Sequence, residues 1–247
     1  MPASSPLDSR RLIALVAALA VGLIFWDSPA LWPLKLLVVM MHESGHALGT
    51  LLVGGSVDHV VLNANESGAC LSRVPNGLLA QVVVYSSGYV GSAVAGAALL
   101  LATFRFRLRR AVLVLTCVWL AVMGVVYAGN LFTLLFCLGT AALLAVCARL
   151  LSEGAVEVMN LFTAAFSALY VVFDLRDDLW DHRVRAVSDA ALLADLTWVP
   201  AVVWAVLWSL FSLTILGAAA WSAVRRQHRL TSADAFGRRR TTAGPGI

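Results

Sequence analysis

The feature that most constrains the fold of this chain is a run of 38 residues, from 111 to 148, without one charged side chain. A helix crosses the bilayer core with about 20 apolar residues, so this run is long enough for two membrane spans. Gly129 and Asn130 near its middle predict the break between them. Similar apolar runs occupy the segments 12–26, 34–53, 78–103, 155–173 and 196–221. The sequence therefore predicts an all-α polytopic membrane protein, a bundle of about six to seven transmembrane helices.

Composition agrees with this class of protein and argues against others. The 247 residues are 60% hydrophobic and 13% charged, whereas a soluble domain carries about 25% charged residues. The net charge of +4 rests on 17 Arg and one Lys, which lie between the apolar runs and near the C-terminus. That distribution is typical of membrane orientation and argues against a nucleic-acid partner. The four cysteines form no C-x-x-C pair, so neither a cysteine zinc site nor a disulfide framework is indicated.

Charge also divides the chain into three segments. A polar stretch at 1–11 precedes a transmembrane domain at 12–222, and the basic tail at 223–247 is predicted to be disordered. The tail arginines and those at 105–110 predict a multi-pass protein of the cell (plasma) membrane with a cytoplasmic C-terminus. With seven crossings, Arg10 and Arg11 would then lie outside, against the tendency of arginine to stay on the cytoplasmic side.

The segment 56–74 differs in kind from the apolar runs around it. Short apolar stretches flank a polar turn at 63–68, which predicts a small β-hairpin, with an ordinary connecting loop as the alternative. Backbone of this kind is tolerated at membrane depth only where protein shields it or where it lines water. An edge strand at this place could hold an extended substrate by β-augmentation.

A second motif lies inside the apolar run 34–53 and reads His42-Glu43-Ser44-Gly45-His46. Positions i and i+4 of a helix lie on the same face, so His42 and His46 can offer two imidazole nitrogens to one zinc ion. Glu43 is then placed to take a proton from a water on that metal. The alternative is a polar helix face turned to a neighbouring helix or to a water-filled cavity.

A catalytic zinc site needs a third protein ligand, and carboxylates are the better candidates. Asp174 directly follows an apolar run and lies nearest the membrane, so we expect it to be the third ligand. Asp177 and Asp178 follow within a turn and stay open as alternatives, as does a solvated helix end formed by the whole acidic cluster. The other histidines lie in polar segments and are predicted to be solvated, namely His59, His182 and His228.

Together these motifs resemble the site-two-protease type of intramembrane zinc metalloprotease, and most closely its compact peptidase-like branch found in bacteria, fungi and plants. The resemblance covers most of residues 34–215. It rests on the H-E-x-x-H together with motifs that occur in the expected order: Gly54-Gly55, Gly88-Tyr89-Val90-Gly91-Ser92, Ser167-Ala168-Leu169-Tyr170, Asp174-x-x-Asp177-Asp178 and Ser188-Asp189-Ala190. It implies a bundle of transmembrane helices with a small β element, and peptide-bond hydrolysis within or near the bilayer.

The sequence therefore predicts a zinc-dependent endopeptidase in the 12–222 domain. Zn²⁺ would be held by His42, His46 and Asp174, and Glu43 would activate the zinc-bound water. The expected partners are the lipid bilayer and a membrane-embedded or membrane-proximal protein or peptide substrate. Two alternatives are a non-catalytic zinc-binding membrane protein, which would not need Glu43, and a metal transporter, whose usual internal repeat the sequence lacks.

Overall fold

The computed structural model describes residues 7–180 and 188–225, and the side chains of 174–180 lie outside that description. Two antiparallel strands, β1 (Ser56–Leu62) and β2 (Gly68–Arg73), follow the second helix. The described residues form eight α-helices: α1 (Ser9–Ile24), α2 (Trp32–Leu52), α3 (Leu78–Leu100), α4 (Arg109–Tyr127), α5 (Leu131–Leu150), α6 (Glu153–Trp180), α7 (Asp189–Thr197) and α8 (Ala201–Val224). The predicted fold class, a helical membrane bundle with a small hairpin, is confirmed.

Five helices of the described chain are long and apolar enough to cross a membrane. They are α3 with the π-helical turn that continues it to Arg105, α4, α5, the part of α6 up to Phe173, and α8. Three helices fall outside this set, because α1 has 16 residues, α7 has 9, and α2 carries Lys35 and the polar motif. Nevertheless, α2 lies at the centre of the fold, since every residue from 35 to 47 is buried.

Polar caps set the ends of two elements that matter for the site. The side chain of Asn130 accepts a hydrogen bond from the backbone of Thr133, which begins α5 and separates it from α4, as the break near Gly129 and Asn130 predicted. The side chain of Ser188 accepts one from Ala191, which begins α7. The last long helix begins at Ala201 rather than at the predicted 196, because α7 continues to Thr197 and a left-handed residue, Trp198, ends it.

The hairpin predicted at 56–74 is present, and its two strands have different surroundings. Strand β1 pairs with β2 on one side, and on the other side the carbonyl of Val60 accepts a hydrogen bond of 2.8 Å from Gly129. The backbone of Leu62 is bonded in turn to the side chains of Thr133 and Asn130. Among the described residues β2 pairs only with β1, so β2 is the outer edge of this small sheet.

Helices α2 and α3 pack closely because glycines line their contact. The backbone of Ser87 lies where a Cβ on Gly45 would be, and a Cβ built on Gly91 would lie 2.9 Å from the α-carbon of Gly45. Further along α3, a Cβ on Gly96 would lie 2.9 Å from Ser167 of α6. Small residues thus allow close contact between these helices.

The two ends of the described chain meet at one end of the bundle. The backbone N–H of Asp8 donates to the carbonyl of Val224 at 2.7 Å, and the Arg11 guanidinium donates to Ala223 at 2.9 Å. Arg11 also lies over the ring of Phe104, 5.2 Å from its centroid. The start of α1, the end of α3 and the end of α8 are therefore neighbours.

Candidate metal centre

The two histidines of the motif face the same point. They lie one helical turn apart on α2, and their Nε2 atoms are 2.9 Å apart. Both residues are more than nine-tenths buried. The i, i+4 spacing in the sequence therefore produces the convergent pair that it predicted.

A carboxylate from another helix completes the cluster. Asp189 is the first residue of α7, and its Oδ2 lies 3.2 Å from Nε2 of His42 and 3.1 Å from Nε2 of His46. Helix α7 is held in place by its apolar side, where Ala190 and Leu193 are fully buried. Among the described residues, these are the three side chains whose ligand atoms converge closely enough to hold one metal ion.

The hydrogen bonding of His46 favours a positive charge in this cluster. Its Nδ1 lies 2.8 Å from the carbonyl oxygen of Val84, and a carbonyl only accepts, so Nδ1 carries the proton and donates. In a neutral ring the Nε2 of His46 then presents a lone pair to Asp189, whose carboxylate also has only lone pairs. Facing lone pairs are costly when buried, so this arrangement favours a positive charge between them, supplied either by a proton on the imidazole or by a metal ion.

The geometry and the donor set fit a zinc ion. In a tetrahedral site with bonds of about 2.0–2.1 Å, ligand atoms lie roughly 3.3–3.4 Å apart, close to the 2.9–3.2 Å found here. Two imidazoles and one carboxylate are also a known ligand set for catalytic zinc. On the α3 side, a Cβ built on Gly88 would overlap both Nε2 atoms. The backbone of Gly88 therefore leaves space at this point that any side chain would fill.

Two aromatic rings, from α3 and α8, cover the side of the His42 imidazole that faces away from its own helix. The ring of Tyr89 meets the imidazole edge to face, with centroids 4.6 Å apart, and Trp208 of α8 stacks on Tyr89 at 5.0 Å. Within the described part of the chain, the buried Nδ1 of His42 has no hydrogen-bond partner. The packing of Tyr89 and Trp208 on this side helps to fix the orientation of the ring.

Glu43 lies next to the cluster and beneath the hairpin. Its side chain is 6% exposed. A Cβ built on Gly68, the first residue of β2, would lie 2.6 Å from its Oε1. Burial, and after it the charge of Glu43, raise the pKa of the Cys70 thiol in β2 to about 12. The start of β2 thus covers the one acidic side chain of the motif.

Among known protein families, the chain matches the one described as Peptidase M50B-like, over residues 13–219. This chain belongs to that family. The match covers both histidines, Glu43 and Asp189, and it supports a membrane metallopeptidase of the site-two-protease type. No curated protein and no solved structure matches the chain.

In this M50B-like chain the third ligand predicted from the sequence is not tested. Asp174, like Asp177 and Asp178, belongs to α6, but the side chains of 174–180 lie outside the described residues, as do 181–187. Its role as a ligand stays a prediction. In the sequence, Asp189 stood out only as part of the Ser188-Asp189-Ala190 motif. A signal that could have identified Asp189 as a ligand is its place at the N-terminus of a helix, directly before apolar residues that become buried.

Gly88 should be essential for metal binding in this M50B-like chain. We expect Gly88→Ala to lower zinc affinity about 10- to 100-fold, since overpacking of this kind costs roughly 1–3 kcal/mol. The measurement is zinc content of the purified protein against a competing chelator. Gly139→Ala is the matched control, because a Cβ on this glycine of α5 has no atom within 4 Å. Equal zinc affinity in the two variants would contradict the prediction.

Proposed function

We propose that this protein is a zinc-dependent endopeptidase that cleaves membrane-embedded or membrane-proximal peptides. His42, His46 and Asp189 would hold the zinc ion, and Glu43 would act as the general base. The observation that carries the proposal is the convergence of the three ligand atoms within 3.2 Å of one another, beside an acid on the same buried helix. Membership of a metallopeptidase family supports the same reaction class.

Each side chain has a separate task in the proposed reaction. The imidazoles and the Asp189 carboxylate bind the ion, while Val84 and Tyr89 orient the two rings. A zinc ion bound there supplies Lewis acidity, which polarises the scissile carbonyl and makes water easier to deprotonate. The Glu43 carboxylate accepts the proton of the attacking water and returns it to the leaving amine. Burial of α2 limits the access of bulk water to these groups.

The hairpin is the proposed docking element for the substrate. A transmembrane substrate is helical, and its backbone must become extended before a peptide bond can reach Glu43. Strand β2 begins against Glu43 and has an unpaired outer edge among the described residues. An extended segment can pair with such an edge through main-chain hydrogen bonds. Strand β2 would thus hold the substrate beside the base.

We propose that the protein lies in the cell membrane with its C-terminus in the cytoplasm. The arginines near the chain ends and after α3 support this orientation, because arginine-rich loops stay on the cytoplasmic side. A reporter fused after residue 225 tests it. Activity of the reporter only on the outer face would reverse the orientation.

The function is tested with purified protein in lipid nanodiscs and a single-span membrane reporter. We expect cleavage that stops after zinc is removed with a chelator and returns when zinc is added. Bound zinc is quantified in the same samples. Full zinc occupancy without cleavage of any of a panel of reporters would favour a non-catalytic zinc protein, and zinc flux across the membrane would favour a transporter.

A further inference from the structure

The one lysine of the chain lies in the interior, close to the turn of the hairpin. Lys35 is on the first turns of α2 and is 6% exposed. Its Nζ forms an ion pair of 2.9 Å with Oε2 of Glu66 and lies 5.0 Å from the ring centroid of Trp26. A buried ammonium is costly without such partners. The ion pair between Lys35 and Glu66 therefore attaches the turn of the hairpin to the start of α2.

A second contact connects the same turn to the same helix. The indole N–H of Trp32, at the start of α2, donates to the carbonyl of Ala64 at 2.8 Å. The turn is itself ordered, because the Ser67 hydroxyl donates to Asn65 at 2.8 Å and Glu66 has a left-handed φ of 68°. An ordered turn that is bound at two points can fix the strand that leaves it.

The strand that leaves this turn is the one that covers Glu43. Gly68 follows the turn directly, and a Cβ built there would lie 2.8 Å from Val39 as well as 2.6 Å from Glu43. Lys35, Val39 and His42 are spaced i, i+4 and i+7, so they lie on one face of α2. At 1.5 Å per residue, Lys35 is about 10 Å along the helix from His42. The ion pair is thus outside the reaction site but on the same face.

We propose that Lys35 is a positioning residue, whose ion pair with Glu66 holds β2 against Glu43 and so sets where an extended substrate meets the base. The catalytic half of this proposal rests on the proposed function. The anchoring half does not, because it concerns only how the hairpin is held on α2. The two halves can therefore fail separately.

Neutralising Lys35 and neutralising Glu66 should release the hairpin to different extents. Glu66→Gln leaves the Lys35 ammonium buried without its counter-charge, whereas Lys35→Met removes the buried charge and keeps the length of the side chain. We therefore expect Glu66→Gln to release the hairpin more than Lys35→Met does. The double variant should resemble Lys35→Met, because the cost of the unpaired charge is then gone.

The Cys70 thiol reports on the hairpin without any need for catalysis. Cys70 lies in β2 opposite Val60 and is half-buried. While β2 is seated on α2, burial limits both access to this thiol and its conversion to the reactive thiolate. Release of the strand would increase both. Alkylation of Cys70, followed by mass spectrometry of its peptide, therefore measures how firmly the hairpin is held.

The experiment compares Lys35→Met, Glu66→Gln, the double variant and Lys35→Arg in nanodiscs. We expect alkylation of Cys70 to be on the order of 3- to 10-fold faster in the neutralising variants, and close to wild type in Lys35→Arg. Zinc content should not change, since neither residue contacts the metal cluster. Cleavage should show a higher KM for an extended substrate with a smaller change in kcat.

Two controls separate anchoring from general destabilisation. Asp58→Asn neutralises an exposed ion pair with Arg73 on the same hairpin, away from the turn, and should leave Cys70 alkylation unchanged. Cys137 of α5 is fully buried against Gly124 of α4, so faster alkylation there would show loss of the whole fold. Unchanged alkylation of Cys70 in both Lys35→Met and Glu66→Gln overturns the anchor. Faster alkylation with an unchanged KM, in a wild type that cleaves, overturns the link to substrate.

Discussion

Replacing Glu43 by Gln is expected to remove most of the peptidase activity and leave the bound zinc in place. Glutamine keeps the shape of the side chain under Gly68 but cannot accept the proton of the attacking water. The loss of a general base corresponds to a rate lower by about 10²–10⁴-fold. The zinc ligands are unchanged, so zinc should stay near the wild-type stoichiometry. Single-turnover cleavage of the membrane reporter and metal analysis of the same preparation measure both quantities.

A matched control substitution shows whether the loss of activity is specific to position 43. Glu153→Gln makes the same chemical change at an exposed carboxylate that pairs with Arg110 at the start of α6. It should cleave at the wild-type rate. Full activity in Glu43→Gln would contradict the peptidase mechanism. Loss of zinc in that variant would indicate that Glu43 is a zinc ligand rather than the general base.

Replacing Asp189 by Ala is expected to abolish both zinc retention and cleavage. The substitution removes one of three ligands and leaves the two imidazoles without a negative partner. Mutation of a residue that only supports a ligand lowers metal affinity about 10- to 100-fold. The loss of a ligand itself should lower the affinity by more than that. Asp195→Ala is the control, because Asp195 is an exposed carboxylate on the same short helix.

The prediction about Asp174 is decided in the same experiment. If Asp189 is the ligand, Asp174→Ala should retain zinc. Loss of zinc in Asp174→Ala, with zinc retained in Asp189→Ala, would show that Asp174 is the third ligand, as the sequence predicted. Retention in both variants would place that ligand elsewhere and contradict this part of the mechanism.

The sequence was sufficient where the structure depends on local spacing. His42 and His46 converge because four residues make about one helical turn, and the hairpin forms where a polar turn separates two short apolar stretches. The break at Asn130 followed from a side chain that caps the next helix. In each case the interacting groups lie within a few residues of one another.

The sequence was insufficient where the contact is distant. Asp189 meets His42 across 147 residues, through the docking of α7 on Tyr89 and Trp208. No periodicity encodes that docking. Gly88 is a similar case, because packing explains a glycine in an apolar helix equally well. Only the position of α3 beside the imidazoles shows that this glycine leaves room for the metal.

The contact between the two chain ends fixes the parity of the membrane crossings. Asp8 and Val224 are hydrogen-bonded, so the start of α1 and the end of α8 lie on the same side of the bilayer. The number of crossings is therefore even. Helix α1 runs from that side along α6, from Phe104 near Arg11 to the stack of Trp26 on Phe173. It therefore leads away from that side in the same direction as α6.

Helix α2 differs from the other long helices because it continues the path of α1. It begins near the end of α1, where Lys35 lies over Trp26, and it ends beside the start of α3, where Gly49 meets Val84. Helices α1 and α2 together therefore lead from the side of Asp8 to the side where α3 begins, and the five long apolar helices that follow return the chain to the first side. Arg11 at the start of α1 lies against Ala223 near the end of α8 and against Phe104 after α3, so the arginines at these three places share one side. Arg10 and Arg11 are no longer an exception to the charge rule.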